Sequence, residues 1–381
     1  MKILHTSDWH IGKRLYGKSR LDEQRQLLKE ITEIARSESV DIALVAGDIF
    51  DTALPSAEAE QVFYESVNAL SKVCLPVVIH GNHDDEHRLL APDLLALTAG
   101  IVLAGGKLPL TTVTTDSGLV VTTGENFITV KKGDEIANIA FLGYPSAGQL
   151  LDRAGDMDFN EFVLSEREKA CACFKNGEIN IFVSHLFVSG SENLLTDERE
   201  LGGSKLVNKS VLTDERCVYT ALGHIHKPLA VSKKDNIYYS GSISQYSFDD
   251  DSEKSVIIAE LTSDTATVKK VPLKTGKKTV IVTARTEDEI LNSLSENENS
   301  FVLIRYESEV PLTPSFVAEM RKKECFCAIE VVKGENKKSE SVRKGKTDRE
   351  LFELFYQKKK GVKPSEEIVE LFLNAVAGEE I

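Results

Sequence analysis

Pro76-Val77-Val78-Ile79-His80-Gly81-Asn82-His83-Asp84-Asp85 is an apolar run that ends abruptly in an amide, imidazoles and two carboxylates. A strand that finishes this way has stopped building core and begun to build a site. Asn and Asp bring hard oxygen donors and His a borderline nitrogen, the mixture that suits a divalent first-row metal. The same residues also make an ordinary turn, because Asn and Asp bond their own backbone and Gly supplies positive φ. Recurrence along the chain separates the two readings.

Toward the N-terminus, the apolar strand Asp41-Ile42-Ala43-Leu44-Val45-Ala46 ends in Gly47-Asp48-Ile49-Phe50-Asp51. Ile3-Leu4 leads into Asp8-Trp9-His10, whose carboxylate and imidazole sit two residues apart and share one face of an extended chain. Between these strands, Leu21, Leu27, Leu28, Ile31, Ile34 and Ala35 recur at helical spacing from Arg20 to Ser37. Val62, Phe63, Val67 and Leu70 do so from Ser56 to Lys72. Alternating apolar strands and amphipathic helices predict parallel βαβ units and a sheet covered on both faces. Ligands of such sheets bind beyond the carboxyl ends of the strands, where all three polar blocks fall.

Toward the C-terminus, a helix over 88–98 precedes the strand 101–103, and β-like runs follow at 119–122, 127–130 and 136–142. A helix over 159–174 leads to Ile179-Asn180-Ile181-Phe182-Val183, which ends at Ser184-His185, and the run 218–222 ends at Gly223-His224-Ile225-His226. Runs at 237–239, 256–261 and 266–271 are expected to close a second sheet packed on the first. Thr267 to Lys278 carries five lysines and no acid, and reads as a basic linker. Beyond it the pattern restarts: strand 280–282, a helix opened by Thr286-x-x-Glu289, strand 301–306, a helix started by Thr313-Pro314, and strand 328–332. Residues 333–346 are basic, poor in apolar residues, and expected to be a flexible tether. Two amphipathic helices follow, over 347–360 and 365–377. The expected domains are therefore 1–272, a small α/β cap over 279–335, and a helical tail over 347–381. In the tail, Leu351, Phe352, Phe355, Ile368 and Phe372 read either as a grip on a partner's helices or as a cap on this chain's own core.

With 381 residues and 41% hydrophobic composition, the chain has room for two or three domains. No apolar run approaches the roughly 18 residues of a membrane span. Asp8 and His5 stand where a signal peptide would be apolar, so the expected address is the cytoplasm. Six dispersed cysteines form neither a disulfide framework nor a zinc pattern. A net charge of −14 argues against coating nucleic acid by bulk electrostatics. A binder of phosphates must then localise its positive charge, or borrow it from metal ions or a partner.

Collected, the strand-end blocks supply Asp8, His10, Asp48, Asn82, His185, His224 and His226, which is the number and kind of donors that two metals sharing one carboxylate require. Five of the eight histidines lie at strand ends beside Asp, Asn or Gly, which turn chemistry does not explain.

These blocks, in this order, resemble the calcineurin-like metallophosphoesterases. The longer strings Leu4-His5-Thr6-Ser7-Asp8-Trp9-His10-Ile11-Gly12, Ala46-Gly47-Asp48-Ile49-Phe50-Asp51, Ser184-His185-Leu186-Phe187-Val188 and Ala221-Leu222-Gly223-His224-Ile225-His226 resemble the SbcD-type nucleases within them. The likeness spans essentially the whole chain. Gly241-Ser242-Ile243-Ser244-Gln245 departs from it, because many relatives carry prolines after Gly-Ser.

The resemblance implies a two-sheet α/β core, a four-layer α-β-β-α sandwich, with a small α/β cap and a C-terminal helical pair. It implies one metal on Asp8, His10, Asp48 and His226 and another on Asp48, Asn82, His185 and His224, most naturally manganese, with Asp48 bridging. His83 is then the group for transition-state stabilisation or proton donation, and Asp51 and Asp84 are placed to fix imidazole tautomers. The implied activity is a DNA phosphodiesterase for repair, recombination and replication: a 3′ to 5′ double-strand exonuclease and a single-strand or hairpin endonuclease. It would work with an SbcC-like coiled-coil ATPase and pair with a second nuclease subunit. A phosphomonoesterase or small-molecule phosphodiesterase using the same metals is the alternative.

Gly12-Lys13-Arg14-Leu15-Tyr16-Gly17-Lys18-Ser19 fits the spacing of a phosphate-binding P-loop. Its strand end is already occupied by Asp8 and His10, and its variable positions are bulky. No nucleotide is therefore expected on this chain, and Lys13, Arg14, Lys18 and Arg20 read as a basic lip suited to DNA phosphates.

Overall fold

The computed structural model of the protein describes residues 1–105, 110–145, 150, 154–155, 157–189 and 205–332, together with 349, 352–353, 356–357, 363–366, 368–369 and 372. The strands Lys2–Thr6, Ile42–Ala46, Leu75–Ile79 and Val102–Ala104 pair in parallel in that spatial order. Ser255–Leu261 adds antiparallel to the outer side of Lys2–Thr6, and Ala266–Pro272 forms the far edge, giving six strands. A second sheet of eight runs from Leu229–Ser232 through Ile237–Tyr239, Tyr219–Gly223, Ile179–His185, Glu135–Leu142, Phe127–Lys132 and Val120–Gly124 to Thr112–Thr114.

The alternation of side chains along each strand sorts them into layers. Ile3, Leu44 and Val77 meet Val121, Ile139, Ile181 and Ala221 between the two sheets. On the opposite face of the first sheet, Leu4, Val45 and Val78 pack on Leu27, Leu28 and Ile31 of the helix Leu21–Ser37, and on Val62 and Phe63 of the helix Ala57–Ser71. Phe182 and Leu222 of the second sheet pack outward on Phe162 and Val163 of the helix Phe159–Ala170. The result is the four-layer α-β-β-α sandwich, with the parallel strands of both sheets ending at one rim.

Three expectations change. Ser255–Leu261 and Ala266–Pro272 belong to the first sheet, not the second, because Ser255–Leu261 pairs with Lys2–Thr6 from Lys2↔Glu260 to His5↔Ile257. The first half of the supposed basic linker is therefore the edge strand Ala266–Pro272, whose Lys269 and Lys270 suit an edge that must not pair with another chain. The helix expected over 88–98 is two, Glu86–Leu90 and Asp93–Thr98, interrupted at Pro92, which cannot donate in a helix interior. The P-loop-like stretch is a small hairpin, Arg14–Leu15 against Lys18–Ser19, with its turn at Tyr16 and Gly17.

Residues 279–331 form a three-stranded sheet, Thr279–Ala284, Phe301–Tyr306 and Phe326–Val331. The helices Glu287–Glu296 and Pro314–Met320 cover it, opened by the Thr286 and Thr313 hydroxyls on the Glu289 and Phe316 amides. Its own core holds Ile290, Leu294, Val302, Ile304, Phe316 and Met320. The chain divides into two compact units, Met1–Tyr306 with Leu312–Glu330, and Glu307–Pro311 with Val331–Ile381. Within the second, the described positions 352–353, 356–357, 366, 368–369 and 372 are helical. The Phe352 ring stacks on Phe372 at 4.1 Å between centroids, so these two of the apolar side chains singled out in the tail cover each other. Ile368 is half-buried, and Leu351 and Phe355 lie outside the described residues.

Candidate metal centre

Both sheets contribute to one rim. Asp8 and His10 follow Lys2–Thr6, Asp48 follows Ile42–Ala46, and Asn82 and His83 follow Leu75–Ile79. From the second sheet, His185 ends Ile179–His185, and His224 and His226 follow Tyr219–Gly223. Glycine makes the close approach possible. A Cβ at Gly81 would fall inside the Asp48 carboxylate, and one at Gly223 would collide with the Ala46 carbonyl.

The seven donors converge. His10 Nε2 lies 3.0 Å from His226 Nε2 and 3.6 Å from Asp48 Oδ2. His185 Nε2 stands 3.3 Å from the same Oδ2 and 3.0 Å from Asn82 Oδ1, and His224 Nδ1 is 3.0 Å from that amide oxygen. Ligand atoms of Asp8, His10 and His226 fall within 4.8 Å of one another, as do those of Asp8, Asp48 and His185, and those of His10, Asp48 and His83. Asp8, His10, Asp48 and His185 are fully buried.

This arrangement fits cations. Asp48 Oδ2 is buried without a hydrogen bond of good geometry, although buried polar atoms are nearly always satisfied. Lone-pair nitrogens and carboxylate oxygens crowd around it, and positive charge among them relieves the crowding. Oxygen and imidazole donors together suit a divalent first-row ion. The residues present are therefore compatible with two divalent cations that share Asp48.

Ionisation follows the same geometry. Burial pushes the Asp8 carboxyl up to about 6, against the pull of His185 and His226. Asp48 is as deeply buried, but the charges of His185, His10 and His83 bring it below the usual carboxylate range. Burial works against a charged His185, yet Asp48 raises it to about 10. A cation held between Asp48 and His185 would take the place of a proton there. The Ala46 carbonyl accepts from His185 Nδ1 at 2.8 Å, which leaves Nε2 as the ligand nitrogen.

Asp8, His10, Asp48 and His224 all have positive φ, at 52°, 42°, 52° and 109°. Non-glycine residues held there cost about 1 kcal/mol or more each, and persist only where their surroundings fix them. Here the His10 amide donates to the Asp48 carbonyl at 3.0 Å, and the Asp8 amide to the Gly47 carbonyl at 3.0 Å. Gln24 Nε2 donates to the His10 carbonyl at 2.7 Å, and the Tyr246 hydroxyl donates to the Trp9 carbonyl.

Known proteins resemble this chain in sequence. Residues 1–228, which include all seven donors, match the family model described as calcineurin-like phosphoesterase. The SbcD component of the SbcCD nuclease of Bacillus subtilis (strain 168) is 34% identical over 403 aligned positions, which cover 100% of this chain and 99% of that protein. The chain belongs to the SbcD family of calcineurin-like phosphoesterases. The SbcD component from Staphylococcus saprophyticus is 29% identical over 312 positions, covering 77% of this chain and 74% of that one. A solved structure, a dimetal phosphatase from Danio rerio, covers 72% of this chain and is itself 98% covered, at a TM-score of 0.39 and 12% identity. Family membership makes the chain a metal-dependent phosphoester hydrolase of the nuclease class.

The outer residues divide. His83 lies beside the centre, with its ring 4.8 Å from that of His10, its amide on Asp48 Oδ1 at 3.0 Å and its Nδ1 3.0 Å from the Asp51 carbonyl. A carbonyl only accepts, so Nδ1 carries the proton there. Asp51 Oδ1 stands 3.7 Å from His10 Nδ1 and 3.0 Å from Lys13 Nζ. Asp84 differs from expectation: its carboxylate accepts from the Ile49, Phe50 and Gly81 amides at 2.8–3.0 Å, and so holds two loops together instead of orienting an imidazole. Burial and the Asp48 charge push it up to about 6.

The basic lip also breaks up. Arg20 is buried, doubly bonded to Glu23 and bonded to the Ser244 hydroxyl and Gln245 carbonyl, so it is not available to a DNA phosphate. Lys18 Nζ donates to the Lys323 carbonyl at 3.1 Å, and Lys13 is paired with Asp51. Arg14 is exposed at the hairpin, where its guanidinium meets the Gly17 carbonyl. Sequence reasoning missed Gln24, Tyr246 and Tyr144, whose ring stacks 6.5 Å from that of His224. The aromatic immediately after the divergent Gly241-Ser242 string was the available signal for Tyr246.

Proposed function

We propose that this chain hydrolyses DNA phosphodiesters as the nuclease component of a two-part complex, of the kind named in its Bacillus and Staphylococcus relatives. The observation that carries the reading is the convergence of oxygen and imidazole donors from both sheets on Asp48. In this reading Asp8, His10, Asp48 and His226 hold one cation, and Asp48, Asn82, His185 and His224 the other, with manganese as the natural occupant. Two such cations, when bound, supply Lewis-acid polarisation of the scissile phosphate and acidify the attacking water.

The chain's own residues do the rest. Asp48 sets the spacing between the two donor sets. Gln24 and Tyr246 hold the carbonyls of His10 and Trp9, so that the His10 ring keeps its aim at little reorganisation cost. His83, its Nδ1 fixed on the Asp51 carbonyl, delivers a proton from Nε2 to the leaving oxygen. Duplex ends, single strands and hairpins are the substrates. A coiled-coil ATPase partner supplies ATP dependence and takes up the tail, and two nuclease subunits pair in the assembly. Residues 279–335 act as a cap domain beside the nuclease domain.

The test is Asp48→Ala in the full chain, assayed with the ATPase partner and ATP on blunt duplex and hairpin DNA with manganese. Loss of the shared carboxylate should lower cleavage by about three orders of magnitude, equivalent to about 4 kcal/mol. Chelation should abolish wild-type cleavage, and manganese should restore it. Cleavage of a small aryl phosphomonoester, with DNA left intact by the wild type, would refute the nuclease assignment.

A further inference from the structure

Behind His226 lies a buried ammonium that the proposed chemistry does not use. Lys254 is 8% exposed, and its Nζ meets three acceptors: the His226 carbonyl at 2.9 Å, the Ser242 hydroxyl at 2.8 Å and Asp250 Oδ2 at 2.6 Å. The first two are hydrogen bonds donated by the ammonium, and the third is an ion pair, since Asp250 Oδ2 lacks a hydrogen bond of good geometry. Ser242 completes the clamp. Its amide also donates to the His226 carbonyl at 3.0 Å, and its hydroxyl donates onward to the Ser244 carbonyl at 2.9 Å. The His226 carbonyl is therefore gripped twice, by one charged and one neutral donor, just before the chain turns away at Lys227-Pro228. Its imidazole stands 3.0 Å from that of His10 and within the group formed with Asp8.

A lysine buried only to fill space would be costly, because taking an ammonium out of water costs several kcal/mol even when paired. A well-packed apolar side chain would fill the same volume without that cost. What an apolar side chain cannot do is donate to a backbone carbonyl. We infer that Lys254 is a positioning residue for the metal centre: its ammonium fixes the main chain at His226 and so sets the place of the imidazole that faces His10 and Asp8. Asp250 neutralises it, and Ser242 carries the restraint into the Gly241-Ser242-Ile243-Ser244-Gln245 loop. That loop carries no proline and draws its shape from hydrogen bonds. The inference rests on the reading of His226 as a ligand.

The experiment is a manganese titration of the chelator-stripped full chain by calorimetry, alongside thermal melts, for wild type, Lys254→Met and the double variant Asp250→Asn with Lys254→Met. Wild type should take two equivalents, and if it takes none, the dimetal reading itself fails. Lys254→Met should weaken one of the two sites by about 10- to 100-fold and leave the other near its wild-type affinity. The single variant strands a buried Asp250 charge and will melt lower. The double variant removes that charge and should recover the melting temperature without recovering the weakened site. Recovery of both together would show that Lys254 acts only on stability and would overturn the inference. Two wild-type affinities in either variant would do the same. If neither variant folds, the ammonium supports the whole fold and not one ligand, and the assignment falls.

Discussion

His5 offers the sharpest quantitative test of how the two sheets are joined. It points from Lys2–Thr6 into the layer between the sheets, where Nδ1 is 3.0 Å from the Tyr219 hydroxyl and Nε2 is 3.1 Å from the Leu222 carbonyl. The carbonyl can only accept, so Nε2 carries the proton and Nδ1 accepts from tyrosine: the bonded ring is neutral. Burial drives its pKa from 6.5 down to about 3, against a smaller upward pull from the Leu222 carbonyl. The folded value is the lower one, so below pH 6.5 the unfolded chain takes up a proton that the folded chain refuses. The His5 contribution is complete above that pH and drains away as pH falls toward about 3, at about 1.4 kcal/mol per pH unit. At about pH 4.5 the loss reaches roughly 3 kcal/mol. The comparison is His5→Gln, whose amide can donate to Leu222 and accept from Tyr219 but does not titrate. Urea unfolding of both proteins, in excess chelator so that cation occupancy is equal, isolates the term, because every other titrating group is shared. Wild type should lead by about 1 kcal/mol near neutral pH, and the order should reverse by about pH 4.5. A stability gap that stays constant over that range would refute the neutral, doubly bonded ring.

His83→Gln should leave manganese affinity near wild type while slowing cleavage of DNA, a poor leaving group, by about 10²- to 10⁴-fold. A nitrophenyl diester, which needs no proton on departure, should be slowed far less, and equal slowing of both would exclude proton delivery. Arg20→Ala leaves Glu23 buried without its partner, so a loss of about 3 to 5 kcal/mol in chemical unfolding is expected. Arg14→Ala, at an exposed site, should stay within about 0.5 kcal/mol of wild type. An unchanged melt for Arg20→Ala would mean that it is not the buried tie described above.

Much of the architecture was legible because its signals are local. The fully apolar runs at 42–46 and 75–79 declare buried parallel strands, and the Thr286 and Thr313 caps mark helix starts before any tertiary contact is known. The donors were legible for a related reason: parallel strands that end at one rim bring their terminal residues together whatever lies between them in sequence. What the sequence hid depends on partners remote along the chain. Whether Ser255–Leu261 joins the first or second sheet is decided by pairing with Lys2–Thr6, about 250 residues away. Arg20 looks like a surface cation until Ser244 and Gln245, more than 220 residues on, close over it. Asp84 looked like a partner for imidazole because both are polar and adjacent in sequence. In space it finds three backbone amides first, and a carboxylate with three N–H donors has little left to offer a ring.

The division of the donors between two sheets makes the site a rivet. Asp8, His10, Asp48 and Asn82 belong to one slab and His185, His224 and His226 to the other, so each ion seated among them ties together layers otherwise joined chiefly by apolar packing. Any ligand that prefers the folded state adds to its stability in proportion to the logarithm of its free concentration. With the proposed cations bound there, cellular divalent-ion supply would become a setting for how tightly this rim is closed, as well as for whether the enzyme turns over. Starvation for the ion would loosen that rim first, while the far ends of the same strands keep their packing.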